Sequence, residues 1–248
     1  MDWPSQCAVV IPCLNEAGTI APLVRDIRKQ LSAVIVVDDG SSDETGRRAA
    51  EAGAEVIRHG APQGKGAALK AGWRRAAERG FAWALCLDGD DQHATADIGK
   101  FLACAGQGRA ALVVGNRMTG EAKMPWLRRQ VNRWMSRRLS RVAGCELPDT
   151  QCGFRLMRLD VWRQLKLHTN HFEIESELLL AFVAAGQSVD FVPIQVIYKT
   201  EQSKISPWRD TGRWFRWLRA REARQKRERA APRLRAAPAI RPSASNLD

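Results

Sequence analysis

The stretch LCLDGDDQH, residues 85–93, sets Asp88, Asp90 and Asp91 within four positions, directly after an apolar run. Neighbouring carboxylates repel unless a cation lies between them. A divalent ion is the simplest resolution, because Mg²⁺ takes carboxylate oxygens and keeps coordination positions for a phosphate-bearing ligand. Placed there it would act as a Lewis acid on a departing diphosphate. A solvated acidic loop is the plain alternative, and for an isolated D-x-D pair the two readings weigh equally. Further polar groups follow other short apolar runs: Asn15 and Glu16, Asp38 and Asp39, and Arg117.

The elements that must carry these groups alternate. CAVVIP (7–12), AVIVVDD (33–39), AEVIRH, FAWALCLD and ALVVGNR (111–117) read as buried strands. Between them, residues 19–31, SSDETGRRAAEAG and GKGAALKAGWRRAAERG read as helices, with a capping-box pattern from Ser41 to Glu44. Such alternation predicts an α/β fold, a mostly parallel sheet flanked by helices. Sheets of this kind bind ligands beyond the C-terminal ends of their strands, where all the polar clusters fall.

After residue 118 the pattern changes. Residues 124–144 form an amphipathic basic helix with Leu127, Val131, Trp134, Met135, Leu139 and Val142 on one face. A turn-rich stretch, ELPDTQCGFRLMR, leads to the helix IESELLLAFVAAG and the strand VDFVPIQVIY. From Pro207 onward, twelve Lys and Arg face four Asp and Glu, so eight of the twelve net positive charges lie there. The expected organisation is a main domain over 1–206, a Trp/Arg-rich interfacial helix over 207–229 and a disordered tail over 230–248. No run approaches the roughly 20 apolar residues of a bilayer span, and the first residues lack a signal-peptide pattern. The expected location is the cytoplasm, peripherally on the cytoplasmic face of the membrane. The six cysteines form no C-x-x-C pair, so reduced, mostly buried thiols are expected.

Eight motifs appear in one order: VIPCLNE, VVDDGSSDETG, QGKGAALKAGW, LDGDDQH, GNR, DTQCGFRL, FEIESELL and SKIS. With them the chain resembles glycosyltransferase family 2, of GT-A fold, and in particular the dolichyl-phosphate mannose synthase-like group that glycosylates polyprenyl phosphates. The resemblance implies that Pro12, Leu14, Glu16, Val37 and Asp39 line the nucleotide. It implies Asp88, Asp90 and Gln92 as the set for Mg²⁺ or Mn²⁺ and the diphosphate. Arg117 and Lys204 match phosphate-binding positions, and Asp149 an acidic position near the acceptor. Leu14 departs from the family, where a base-stacking aromatic is common, and leaves the base open between GDP- and UDP-sugars. Tyr198 departs too, standing where some members carry an arginine, with Lys199 beside it.

The implied reaction is an inverting sugar transfer from a nucleotide-diphosphate sugar to a polyprenyl phosphate at an anionic membrane surface. A lipid phosphate is already ionised, so the demand falls on cations such as Arg117, Lys204, Arg128 and Arg129. A hydroxyl acceptor, on a glycolipid or polysaccharide, would instead need a carboxylate base, and Asp149 is then the candidate. A pI near 10 also suits a nucleic-acid-binding protein, but that class leaves the acidic knot unexplained, and no nucleic acid partner is expected. GAPQGKG has three residues between Gly60 and Gly64, not four, and no Ser or Thr after Lys65, which excludes a P-loop.

Overall fold

The computed structural model describes residues 2–119, 124–197 and 207–230, the last with side chains from 211 to 224. Lys204, Tyr198, Lys199 and the tail beyond Ala230 therefore lie outside the described residues. Along the chain the elements are α1 (Trp3–Gln6), β1 (Cys7–Cys13), α2 (Ile20–Arg28), β2 (Val34–Asp38), α3 (Thr45–Glu51), β3 (Glu55–Arg58), α4 (Lys65–Glu78) and β4 (Trp83–Cys86). Then follow α5 (Ile98–Gly106), β5 (Leu112–Asn116), α6 (Trp126–Ala143), β6 (Arg155–Arg158), α7 (Leu159–Trp162), α8 (Glu173–Ala184), β7 (Val189–Pro193) and α9 (Pro207–Ala230).

The strands form one sheet in the order β3-β2-β1-β4-β6-β5-β7. All pairings are parallel except those of β6, which runs antiparallel to both β4 and β5. Both faces of β1, β2 and β4 are buried, which accounts for their near-continuous Val, Ile, Leu and Ala content. Helix α4 crosses closely over β1 and β2: a Cβ on Gly72 would lie 2.3 Å from Val10 Cγ1, so only glycine fits there.

The turn-rich reading of ELPDTQCGFRLMR missed β6, which is four residues long and carries an arginine at each end. Arg155 is buried inside the protein and donates to the carbonyls of Cys152 (2.7 Å), Thr150 (3.0 Å) and Glu175. It is spent on backbone carbonyls. Because β6 is reversed, the loop that precedes it, not the one that follows it, arrives at the edge where the parallel strands end.

Three helical expectations need correction. Helix α3 starts at Thr45, and Ser41 does not cap it: Ser41 Oγ accepts the Asn15 N–H (2.9 Å), while Asp43 accepts the Thr45 N–H (3.0 Å). Helix α6 turns Asn132, Met135, Ser136 and Leu139 inward. Leu127 and Val131, expected on that apolar face, are exposed at 66% and 39%, alongside Trp126 at 72% and Trp134 at 44%. In helix α9, Trp214, expected at the interface, is buried, and so is Leu218. Trp214 Nε1 donates to Ser176 Oγ of α8 (2.9 Å), its ring meets Trp134 of α6, and Arg138 pairs with Glu222 (2.9 Å). No described helix is long and apolar enough to cross a membrane.

Candidate active site

A cavity of about 700 Å³ opens beyond the C-terminal ends of the parallel strands. Its walls contain Pro12, Leu14, Glu16, Asp39, Asp88, Asp90, Gln92 and Arg117, so most of the residues singled out in the sequence meet in one place. Two do not reach it. Val37 is fully buried in the core of β2. Asp149 is fully buried behind the wall.

On the β1–β2 side, Asn15 adopts a left-handed backbone (φ 54°), which Asn tolerates better than most residues. Its Oδ1 accepts the Ser42 N–H (2.9 Å), and this ties the loop after β1 to the loop after β2. Asp39 accepts the N–H groups of Gln63 (2.9 Å) and Gly64 (2.7 Å) and contacts His59 Nδ1 (2.6 Å). It is thus an organiser of its loop as well as a wall residue.

The acidic knot is a turn, not the strand end that alternation suggested, since β4 stops at Cys86. Gly89 packs so closely that a Cβ would lie 2.6 Å from Cys13 Sγ. Asp91 takes a left-handed conformation (φ 55°) that turns the chain back, a structural use for a residue with no assigned chemistry. Asp88 points inward to Lys65 Nζ at 2.6 Å, and the same ammonium reaches Glu175 Oε1 at 2.6 Å. Room for Asp88 comes from Gly153, whose Cβ would fall 2.7 Å from Asp88 Oδ2. Burial by itself would lower the Lys65 pKa, but the charges of Asp88 and Glu175 outweigh it and hold it above the ordinary lysine range. Burial likewise opposes ionisation of Asp88, and Lys65 with His93 overrides it, driving the carboxyl well below its usual range. Asp90 goes the other way. Burial, then the charge of Asp88, raise it.

Lys65, Glu175 and the loop at Gly153 were not identified from the sequence as working parts. The signal for Lys65 was present in QGKGAALKAG, but its use as a counter-ion rather than a phosphate ligand needed the fold. One ammonium between two carboxylates, with Asp90 beside them, leaves the corner short of positive charge. Among the described residues no three His, Cys, Asp or Glu side chains gather round one point. A cation here would therefore take Asp90, Gln92 and the remaining acceptor capacity of Asp88 together with ligand oxygens. That donor set fits Mg²⁺ or Mn²⁺, which keep positions for phosphate oxygens.

Across the cavity, Arg117 follows β5. It donates from Nε to Asp149 Oδ2 (2.7 Å) and from Nη2 to Oδ1 (2.8 Å). The Gln151 N–H also donates to Asp149 (3.2 Å). Burial opposes the charge on both partners, yet each holds the other ionised: Arg117 is raised and Asp149 lowered. Arg128 of α6 and Arg213 of α9 line the same cavity. Beside the acidic knot, the Ile197 N–H donates to the Gln92 carbonyl (2.9 Å).

Residues 8–165 match the family model described as glycosyl transferase family 2. The chain belongs to that family. Among its relatives, glycosyltransferase AglJ of Haloferax volcanii is 30% identical over 219 residues, covering 86% of this chain and 70% of AglJ. The dolichyl-phosphate hexose transferase of the same organism is 31% identical over 204 residues, covering 81% and 87%. The undecaprenyl-phosphate mannosyltransferase of Micrococcus luteus is 27% identical over 212 residues, covering 79% and 86%. Among solved structures, glucosyl-3-phosphoglycerate synthase from Mycobacterium tuberculosis with Mg²⁺ and UDP superposes with a TM-score of 0.66 at 22% identity, over 87% of this chain and 77% of that one. This family 2 glycosyltransferase has the GT-A-type fold that its motifs imply.

Proposed function

We propose that this family 2 glycosyltransferase moves a sugar from a UDP- or GDP-sugar to a polyprenyl phosphate, with inversion, at an anionic membrane surface. The observation that carries the acceptor is the state of Asp149. It is the carboxylate expected to act as base on a hydroxyl acceptor, and it is buried, held ionised and committed to Arg117. The acceptor side offers guanidinium groups from Arg117, Arg128 and Arg213 in place of a base. An acceptor that arrives already ionised suits such a wall. Relatives named for dolichyl-phosphate and undecaprenyl-phosphate acceptors support the same reading.

The nucleotide lies against Pro12, Leu14, Glu16 and Asp39, and its diphosphate runs towards the acidic knot. Asp88, Asp90 and Gln92 would hold a divalent cation, which when bound would supply positive charge beside the leaving diphosphate. An acceptor phosphate oxygen attacks the anomeric carbon from the face opposite that diphosphate. The new C–O bond forms as the old one breaks, and the nucleoside diphosphate leaves. Arg117 holds the attacking phosphate and Asp149 fixes the angle of Arg117; for Lys204 the phosphate-binding role is proposed from its match to the family motif alone. Attachment to the membrane falls to the exposed Trp126, Leu127, Val131 and Trp134 of α6, with the arginines beside them.

A panel of UDP- and GDP-sugars, each offered with Mn²⁺ and a polyprenyl phosphate or the matching polyprenol, tests this. Transfer to the phosphate alone is expected. Equal transfer to the alcohol would discard the proposed acceptor.

A further inference from the structure

We infer that Glu175 and Gln151 recognise the hydroxyl groups of the transferred sugar and select a neutral hexose over an acidic one. This deepens the reading above and rests on it. The anomeric carbon must lie between the diphosphate, at the acidic knot, and the acceptor phosphate, at Arg117. A continuous network joins those two places. Lys65 Nζ contacts both Asp88 and Glu175 at 2.6 Å. Ser176, next in the chain after Glu175, accepts from Gln151 Nε2 (3.0 Å), and the Gln151 N–H donates to Asp149 (3.2 Å), the partner of Arg117. Glu175 and Gln151 both line the cavity, so a sugar spanning the gap passes over them.

Both side chains present acceptors there. The two N–H groups of Gln151 Nε2 go to Thr150 Oγ1 (2.9 Å) and Ser176 Oγ (3.0 Å), which leaves the amide oxygen for a ligand. A carboxylate accepts about four hydrogen bonds, and Lys65 takes one at Glu175 Oε1. Sugar hydroxyls can donate to both. An ionised carboxylate on the sugar has no proton to give and is repelled by Glu175. Lys65 Nζ lies 5.6 Å from the centre of the Phe172 ring, which adds an apolar wall to the same cavity. The segment that carries this wall is fixed beforehand. Glu177 accepts the N–H groups of His168 (3.0 Å) and Thr169 (2.8 Å). The Asn170 carbonyl accepts those of Gly66 (2.8 Å) and Ala67 (3.2 Å) at the start of α4. The QGKG stretch is thereby closed by a backbone carbonyl and serves to place Lys65 against Glu175.

Calorimetry with Mn²⁺ present compares UDP-glucose, UDP-glucuronate and UDP, or GDP-mannose, GDP-mannuronate and GDP if the protein takes guanosine. Each sugar pair differs by a carboxylate in place of a hydroxymethyl group. The wild type should bind the neutral sugar nucleotide at least about tenfold more tightly than the acidic one, the share of one hydrogen bond to a charged group. Glu175→Gln should lose about that factor for the neutral sugar nucleotide relative to the bare nucleotide, and should close most of the gap to the acidic one. Gln151→Met keeps the length and drops the amide oxygen, so the same ratio should fall about fivefold, the share of a neutral hydrogen bond. It tests the same subsite if Glu175→Gln does not fold. Loosening of Lys65 and the acidic knot alone would weaken all three ligands alike, and that result overturns the assignment. So do variants that keep the wild-type ratio, or a wild type that prefers the acidic sugar; each leaves transfer to polyprenyl phosphate standing. A wild type that binds none of these ligands removes the nucleotide-sugar reading itself, and this subsite with it.

Discussion

Arg117 grips Asp149 through two parallel hydrogen bonds of 2.7 and 2.8 Å, and the Arg117 backbone N–H adds a third at 3.1 Å. The carboxylate is thereby a fixture that aims a guanidinium into the cavity. Bidentate pairing of this kind supplies orientation as well as charge.

Arg117→Ala should therefore slow transfer on the order of 100-fold, the usual loss for one preorganised charge partner. Asp149→Asn should cost less, because the guanidinium remains. Its activity–pH profile should keep the wild-type shape, since a carboxyl held below its usual range does not titrate near neutrality. The stability Asp149 contributes is complete above the unfolded carboxyl pKa and is lost only as pH falls through the still lower folded one. A new limb in the neutral range for the asparagine variant would restore Asp149 as a base. Initial rates across pH decide.

Lys65→Met leaves Asp88 and Glu175 facing each other without their shared ammonium. Removing one partner of a buried pair costs about 3–5 kcal/mol. Denaturant melts should show a loss of that order, and Mn²⁺ should restore more stability to the variant than to the wild type. Asp88→Asn strands the same ammonium beside Glu175, so it should destabilise the fold as well as impair transfer. An Asp88→Asn variant as stable as wild type would contradict the ion pair's structural share.

Asp90 has the opposite linkage. Its folded pKa is raised, so the stability carried by its protonated form is present below the unfolded pKa and lost as pH rises through the folded one. At pH 7 Asp90→Asn should raise the melting temperature of metal-free protein by about 2–4 °C, the response to roughly 1 kcal/mol in a chain of this size. The same change should remove most of the stabilisation by Mn²⁺, and wild-type affinity for Mn²⁺ should weaken on acidification. Thermal melts with and without Mn²⁺ at two pH values read all three effects. An undiminished Mn²⁺ response in the variant excludes Asp90 as a ligand.

For the membrane, the test separates α6 from α9. Replacing Trp126 and Leu127 together by Ser should weaken binding to anionic liposomes at least about tenfold, since the two side chains bury several kcal/mol of apolar surface between them. Salt should weaken binding of the wild type, because exposed arginines are screened over about 8–10 Å. Trp214→Ala should instead cost about 3–5 kcal/mol of stability, as other buried aromatic truncations do. Cosedimentation that is identical for the double variant and the wild type would clear α6 of this role.

The amino-acid order determined a good deal by local means. Alternating apolar strands and helices prescribe a mostly parallel sheet, and Asp88, Asp90 and Arg117 fall just beyond strands because polar residues follow buried runs. Ordered motifs sufficed for the family. Tertiary structure decided the partners. RLMR is too short and too charged to signal a strand, yet as β6 it lies reversed between β4 and β5, so its preceding loop carries Asp149 to Arg117 and Gly153 to Asp88. Lys65 lies far from Glu175 in sequence and within 2.6 Å of it in space. Leu127 and Trp214 trade the places their patterns suggest, since helical spacing shows that a face is apolar but not what covers it. Pairings set by strand direction and by which helix packs on which are long-range, and no window of sequence contains both halves of them.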